Sequence, residues 1–270
     1  MFRRHPITGD PIVFAPERSS RPGAFGADET TRCPFCAGHE SDTPPAIVTS
    51  GDPWRVRVIP NKYPPVEGAE VIVESPDHDA TFDGLEHAGQ VLHVYVDRYR
   101  AHHGTAHIAL FKNHGPAAAA SIPHIHSQVM PLPFIPPRIA REGEAFERAA
   151  HCPLCAPIDG KIIRETPAFR WLAPAGSAMP HQQWIVPKRH VAEMTAFDDG
   201  ELAELATLLQ SASAAMLSLA DAYTWIFMNF ARHRSAHAYV ELFPRVTALG
   251  GFEFGTGTFV QIVDPARVRA

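Results

Sequence analysis

Apolar residues recur along this chain with two periods, and each period occurs twice. After His78, residues Leu85, Ala88, Leu92, Tyr95 and Tyr99 follow at helical spacing, and after His190 so do Leu202, Leu205, Leu209, Ala212 and Met216. Each set predicts one long amphipathic helix. Short strand-like runs precede the helices, at 55–59 and 71–73 in the first half and 184–186 in the second. Others follow them, at 107–111 and 125–130, then at 225–230 and 238–243. Strands, one crossing helix, then strands predict an α+β fold of two fused units, each an antiparallel sheet with a long amphipathic helix. The Pro-rich stretch 131–137 cannot continue a central strand and is expected to open the connection between units. The boundary then falls near residue 145, giving units 1–145 and 146–270.

The four cysteines sharpen this duplication, because they form two Cys-x-x-Cys pairs followed by the same residue types in the same order. Cys33 and Cys36 precede His78 and then His124-Ile-His126-Ser-Gln128; Cys152 and Cys155 precede His190 and then His237-Ala-Tyr239-Val-Glu241. His78 follows Cys36 by 42 residues and His190 follows Cys155 by 35, while the next histidine comes 46 and 47 residues later. Two thiolates and two imidazoles satisfy the tetrahedral preference of zinc with no open position, which marks a structural site. The first candidate is Cys33, Cys36, His78 and His124; the second is Cys152, Cys155, His190 and His237. The competing readings are buried cysteines beside surface histidines, or a redox pair, and the latter lacks the βαβ neighbourhood such pairs occupy.

His124, His126 and Gln128 stand at i, i+2 and i+4, a spacing that on a strand points all three side chains to one face. One imidazole can hold metal while the next faces a substrate. A neutral imidazole is a competent nucleophile toward phosphorus, and a neighbouring amide can contact the phosphoryl oxygens without adding a titratable charge. In the second half Tyr239 and Glu241 replace His126 and Gln128, and a phenol with a pKa of ~10 is a poor nucleophile at neutral pH. The pattern therefore predicts chemistry in the first half alone.

Composition removes several classes. With 45% hydrophobic and 20% charged residues in 270, the chain has globular composition, and a net charge of −5 without a basic run argues against nucleic-acid binding. No apolar stretch reaches the ~18 residues needed to cross a bilayer, and the opening segment lacks the apolar core of a signal peptide. A cytoplasmic protein is expected.

At His124-x-His126-x-Gln128, preceded by Asn113-His-Gly115 and Ser121-Ile-Pro123, the sequence resembles the galactose-1-phosphate uridylyltransferase branch of the histidine triad superfamily. The resemblance extends to Arg4-His-Pro-Ile-Thr-Gly9, Arg18-Ser-Ser-Arg21-Pro22, Cys33-Pro-Phe-Cys36-Ala-Gly38, Pro60-Asn61-Lys62-Tyr63-Pro64 and, in the second half, Glu241-Leu-Phe-Pro244-Arg245. It implies a ping-pong reaction in which His126 attacks the α-phosphorus of a nucleotide sugar, sugar 1-phosphate leaves, and the nucleotidyl group passes to a second acceptor. By the same resemblance, Gln128, Ser121 and Asn113 contact the transferred phosphoryl group, Arg18 and Arg21 contact phosphates, and Phe35, Asn61 and Tyr63 wall the nucleoside. A homodimer is also implied. Glu142 matches an acidic family position able to bind a second metal, although the second Cys pair supplies a better ligand set. Well-known members read His-Pro-His-Gly-Gln where this chain reads His-Ile-His-Ser-Gln, and hexose-handling members carry Lys and Glu where this tail offers Gly251, Phe252 and Gly257. Two alternatives stand beside the transferase: a nucleotide-sugar phosphorylase or hydrolase using the same histidine, and a noncatalytic nucleotide-binding zinc protein.

Overall fold

A computed structural model describes residues 2–16, 18 and 32–268. A short hairpin opens it, β1 (Phe2–Arg4) against β2 (Pro11–Val13). The first half then lays down β3 (Val48–Ser50), β4 (Val56–Pro60), β5 (Glu70–Val73), helix α1 (Ala88–Ala101), β6 (His107–His114) and β7 (His126–Leu132). After α2 (Pro137–Arg148) the second half repeats the order: β8 (Gly160–Glu165), β9 (Phe169–Pro174), β10 (Gln183–Pro187), α3 (Asp199–Leu217), β11 (Tyr223–Met228) and β12 (Tyr239–Pro244). Helix α4 (Gly251–Thr256) follows.

Ten strands form one antiparallel sheet in the order β3-β4-β5-β7-β6-β11-β12-β10-β9-β8. The second five repeat the first five in reverse, so the copies meet edge to edge through β6 and β11, where Phe111 pairs with Ile226 and Leu110 with Phe227. The expected α+β architecture of two antiparallel units is the one observed. Residue 145 lies within α2.

Both long helices pack on one face of the sheet, and their apolar sides merge into one core. Val91, Leu92, Tyr95 and Tyr99 from α1 join Leu202, Leu205, Leu209, Ala212 and Met216 from α3, all buried. Edge-to-face pairs Phe82–Trp225, with centroids 4.5 Å apart, and Tyr95–Phe227, at 5.8 Å, lock the halves together. The α3 start is fixed by a capping box in which Asp198 accepts from the Glu201 amide and Glu201 accepts from the Asp198 amide.

The opposite face differs between halves. In the second, α2 lays Ile139 and Phe146 against Leu172, Val186, Met228, Phe230 and Tyr239. In the first, a smaller cluster of Phe35, Ile59, Val71 and Val73 lies beside β7.

Two strand expectations need correction. Pro131 does continue β7, paired with Ile108 of β6; this is tolerated because β5 ends opposite Val129, so Pro131 has a ladder neighbour on one side only. His124 precedes β7, so the shared strand face carries His126 and Gln128 while His124 sits in the turn before it.

Candidate active site and metal centres

Each Cys-x-x-Cys turn closes on two histidines. The ligand atoms of Cys33, Cys36, His78 and His124 lie within 4.8 Å of one another, as do those of Cys152, Cys155, His190 and His237. Every histidine turns Nδ1 toward sulfur: His124 Nδ1 is 3.6 and 3.7 Å from Cys33 and Cys36 Sγ, and His78 Nδ1 is 3.4 Å from Cys36 Sγ. In the second set His237 Nδ1 lies 3.4 and 3.5 Å from Cys152 and Cys155, and His190 Nδ1 3.4 Å from Cys155. The rings are oriented from behind. His124 Nε2 donates to the Ser75 carbonyl at 2.7 Å and His237 Nε2 to the Pro187 carbonyl at 3.0 Å, acceptors that both stand three residues before their cluster's other histidine. Either cluster could hold a metal ion.

The protonation states agree with such a role. Burial pushes the His124 imidazole down and His237 to about 4, holding both rings neutral as ligands require. Burial and then the neighbouring Cys33 push the Cys36 thiol up to about 11; burial and Cys152 raise Cys155 likewise. A cation at either cluster would oppose that rise and favour the thiolate.

An arginine buttresses each turn. Arg57, from β4, reaches the Pro34 carbonyl at 3.4 Å, and Arg170, from β9, reaches those of Cys155 and Ala156 at 3.3 and 3.0 Å. Arg57 and Arg170 are 113 residues apart, the interval that also separates His124 from His237, His126 from Tyr239 and Gln128 from Glu241. Motif reading missed both arginines, and this constant interval was the signal that could have found them.

Beside the first cluster, His126 is buried on β7 and donates Nδ1–H to the His124 carbonyl at 2.8 Å. That bond places the ring proton on Nδ1 and the lone pair on Nε2. The same residue that turns its own Nδ1 to the thiols thus fixes the tautomer of its neighbour. Phe35, between the two cysteines, packs edge-on against His126 with centroids 5.5 Å apart. Gln128 shares the His126 face, across from Phe111 of β6 and Val71 of β5. Asn113, two residues past Phe111 and therefore on that face, accepts from the Thr224 hydroxyl at 3.2 Å.

Gly115 turns the chain after β6 at φ 80°, and a Cβ there would meet the Asp221 carbonyl oxygen at 2.3 Å, so only glycine fits. Ser121 lies half-buried further along the same turn. Arg18 Nη1 donates to the Tyr63 carbonyl, and the Tyr63 amide donates to Asn61 Oδ1 at 2.9 Å, so three expected substrate residues are gathered at the end of β4. Arg21 lies outside the described residues.

At the matched place in the second half, α2 fills the site. Arg138 Nη2 and Nη1 donate to the two carboxylate oxygens of buried Glu241 at 2.6 and 3.2 Å, while Arg138 Nε donates to Glu142 at 2.7 Å. The Tyr239 hydroxyl donates to the other Glu142 oxygen at 2.9 Å, and burial and then Glu142 push this phenol well above its ordinary range. Glu142 is therefore occupied by Arg138 and Tyr239, and it belongs to neither ligand cluster.

A family described as "Domain of unknown function (DUF4931) N-terminal domain" matches residues 19–135. ADP-glucose phosphorylase of Arabidopsis thaliana is 29% identical across 99% of this chain and 90% of its own length. Galactose-1-phosphate uridylyltransferase of Thermotoga maritima is 26% identical across 98% and 95%. The Arabidopsis thaliana ADP-glucose phosphorylase solved with bound ADP-glucose superposes with a TM-score of 0.80 over 99% of this chain and 96% of that one, at 28% identity. A uridylyltransferase structure gives 0.84 over 99% and 95%, at 25% identity. The homologues of this chain are thus galactose-1-phosphate uridylyltransferase-like proteins, a group of nucleotidyltransferases and phosphorylases.

Proposed function

We propose that this protein moves a nucleoside monophosphate between a nucleotide sugar and a sugar 1-phosphate through a nucleotidyl-histidine on His126. One observation carries the reading: the His124 carbonyl holds the Nδ1 proton of His126, so its Nε2 lone pair is the nucleophile. Nε2 forms a bond to the α-phosphorus, the bond from that phosphorus to the bridging oxygen breaks, and sugar 1-phosphate departs with the electron pair. A phosphate oxygen of the acceptor then attacks the same phosphorus and releases the imidazole. Gln128, Asn113 and Ser121 contact the phosphoryl oxygens, Arg18 and Arg21 the outer phosphates, and Phe35, Asn61 and Tyr63 the nucleoside.

Zinc suits both Cys2His2 clusters. Bonds of ~2.3 Å to sulfur and ~2.1 Å to nitrogen at tetrahedral angles give an N···S edge of about 3.6 Å, and the observed separations run from 3.4 to 3.7 Å. Four ligands leave no open position, so in this reading zinc serves structure while unit 1–145 carries the chemistry and 146–270 supports it. Four cysteines set as ligand pairs suit a reducing cytoplasm. Exposed Phe252, Phe254, Val260 and Ile262 support the homodimer, which sedimentation would test.

Phosphorolysis, with inorganic phosphate as second acceptor, is the second reading. It is favoured by the likeness to ADP-glucose phosphorylase over nearly the whole chain. The test is exchange: labelled sugar 1-phosphate should enter the nucleotide sugar without a net reaction. Net release of a nucleoside diphosphate on adding inorganic phosphate would select phosphorolysis, and the absence of both reactions would refute nucleotidyl transfer.

A further inference from the structure

On the helix side of β7, directly behind His126, lies a buried ionic cluster that the reaction does not use. Glu74, Lys112, Tyr95 and Ser127 are each 1% exposed or less. Glu74 accepts from the Lys112 ammonium, the Tyr95 hydroxyl and the Ser127 hydroxyl, and Tyr95 and Ser127 oxygens also meet at 2.6 Å. Lys112 Nζ lies 5.5 Å from the Trp225 ring and 5.6 Å from that of Phe82, and it donates to the His126 carbonyl at 3.2 Å. His126 is thus tied through its carbonyl from behind and through its ring to the His124 carbonyl, and the next residue is tied through its hydroxyl.

Strand pairing does not require this cluster. A buried ion pair is expensive to desolvate, and apolar residues of similar volume often serve stability as well or better. The second half makes that choice. Ile72 faces Ser127 as Ile185 faces Val240, and two residues further on stand Glu74 and Pro187. Phe111 faces Gln128 as Ile226 faces Glu241, and the next residues are Lys112 and Phe227. At matched positions, Glu74, Lys112 and Ser127 become Pro187, Phe227 and Val240, and the strands still pair in the same order. The half that has lost the nucleophile has also lost the charges behind it.

We infer that Glu74, Lys112, Tyr95 and Ser127 are positioning residues, which clamp the β7 backbone so that His126 Nε2 meets the α-phosphorus in line. The inference rests on His126 being the nucleophile. Misplacement by about 1 Å lowers rate on the order of 100-fold with little change in binding. The test uses Glu74→Gln/Lys112→Met, which removes both charges together, and Tyr95→Phe, which removes one hydroxyl at constant shape. Rapid-quench measurement of protein-bound nucleotide from labelled nucleotide sugar reads the rate of adduct formation, beside KM, metal content and Tm.

The expected result for the double variant is a roughly 10- to 100-fold slower adduct rate, with KM within about twofold and both metals retained. Tyr95→Phe should show a smaller slowing of the same kind. A wild-type adduct rate in a folded, metal-replete variant would overturn the inference, as would a rise in KM at unchanged rate. If the double variant misfolds, Tyr95→Phe decides by the same criterion. Absence of adduct in the wild type, by contrast, would overturn the nucleophile itself.

Discussion

The two halves of the sheet share strand order, crossing helix and Cys2His2 corner, yet they differ in what stands beside that corner. In the first, His126 and Gln128 stand on β7 beside Phe35 and Asn113, backed by a buried ion pair. In the second, Tyr239 and Glu241 occupy the matched places, Arg138 of α2 pairs with Glu241 and Glu142 accepts from Tyr239, backed by Phe227 and Val240. In the proposed reading, duplication preserved what builds the corner and relaxed what reacts. In the same proposed reading a structural metal contributes directly to folding free energy, and that accounts for two complete ligand sets beside a single nucleophile.

Exchanging the reactive positions gives the largest expected contrast. His126→Gly should lower nucleotidyl transfer by about three orders of magnitude or more, whereas Tyr239→Phe should leave it within about twofold. Comparable losses from both would erase the division between halves. The metal corners should behave alike instead: Cys33→Ser and Cys152→Ser should each reduce elemental zinc from two ions to one and destabilise the fold on the order of 3 kcal/mol or more. Retention of both ions in either variant would remove that cysteine from the ligand set.

Acid should act on the first half through a buried imidazole that has no counterpart at the matched place in the second. Burial pushes His107, at the start of β6, from 6.5 down to about 4. Its matched residue, four before Ile226 as His107 is four before Phe111, is Ala222, just before β11. The unfolded chain takes up this proton near pH 6.5 and the folded chain only near 4. Stability present above pH 6.5 should fall as pH drops through that window, by up to ~3 kcal/mol, and level off below it. His107→Asn should make that limb shallower in urea titrations across pH, leaving the part that His237, also pushed to about 4, contributes.

The smallest effect belongs to the filled site. Arg138 is 40% exposed and Glu241 5%, so Arg138→Ala should cost about 1–2 kcal/mol once solvent screening is counted. Turnover should not change, and a substantial loss would show that the second site takes part in catalysis.

The sequence disclosed the duplication because its anchors are chemically rare: four cysteines in two identical pairs, each followed by histidines at near-constant intervals. Both crossing helices were legible because each must bury one full side. Helix α2 was not, since among its apolar side chains only Ile139 and Phe146 are large, and a proline run precedes it. Residues that act across the sheet were hidden for another reason. Glu74 and Ser127 are 53 residues apart with no spacing rule between them, and only strand pairing brings them together. Arg138 and Glu241, 103 residues apart, meet because α2 packs across β12. Local periodicity encodes elements, and register decides which polar groups become partners.

The central claim, one nucleophile in one half, is tested most directly by mapping the covalent intermediate. The protein should be incubated with a nucleotide sugar without acceptor, quenched at alkaline pH where a phosphoramidate survives, digested, and its peptides measured by mass spectrometry. The account predicts a nucleoside monophosphate on the peptide containing His126, absent from His126→Gly and unaffected in Tyr239→Phe. An adduct on any other residue, or sustained exchange by the His126→Gly protein, would contradict it.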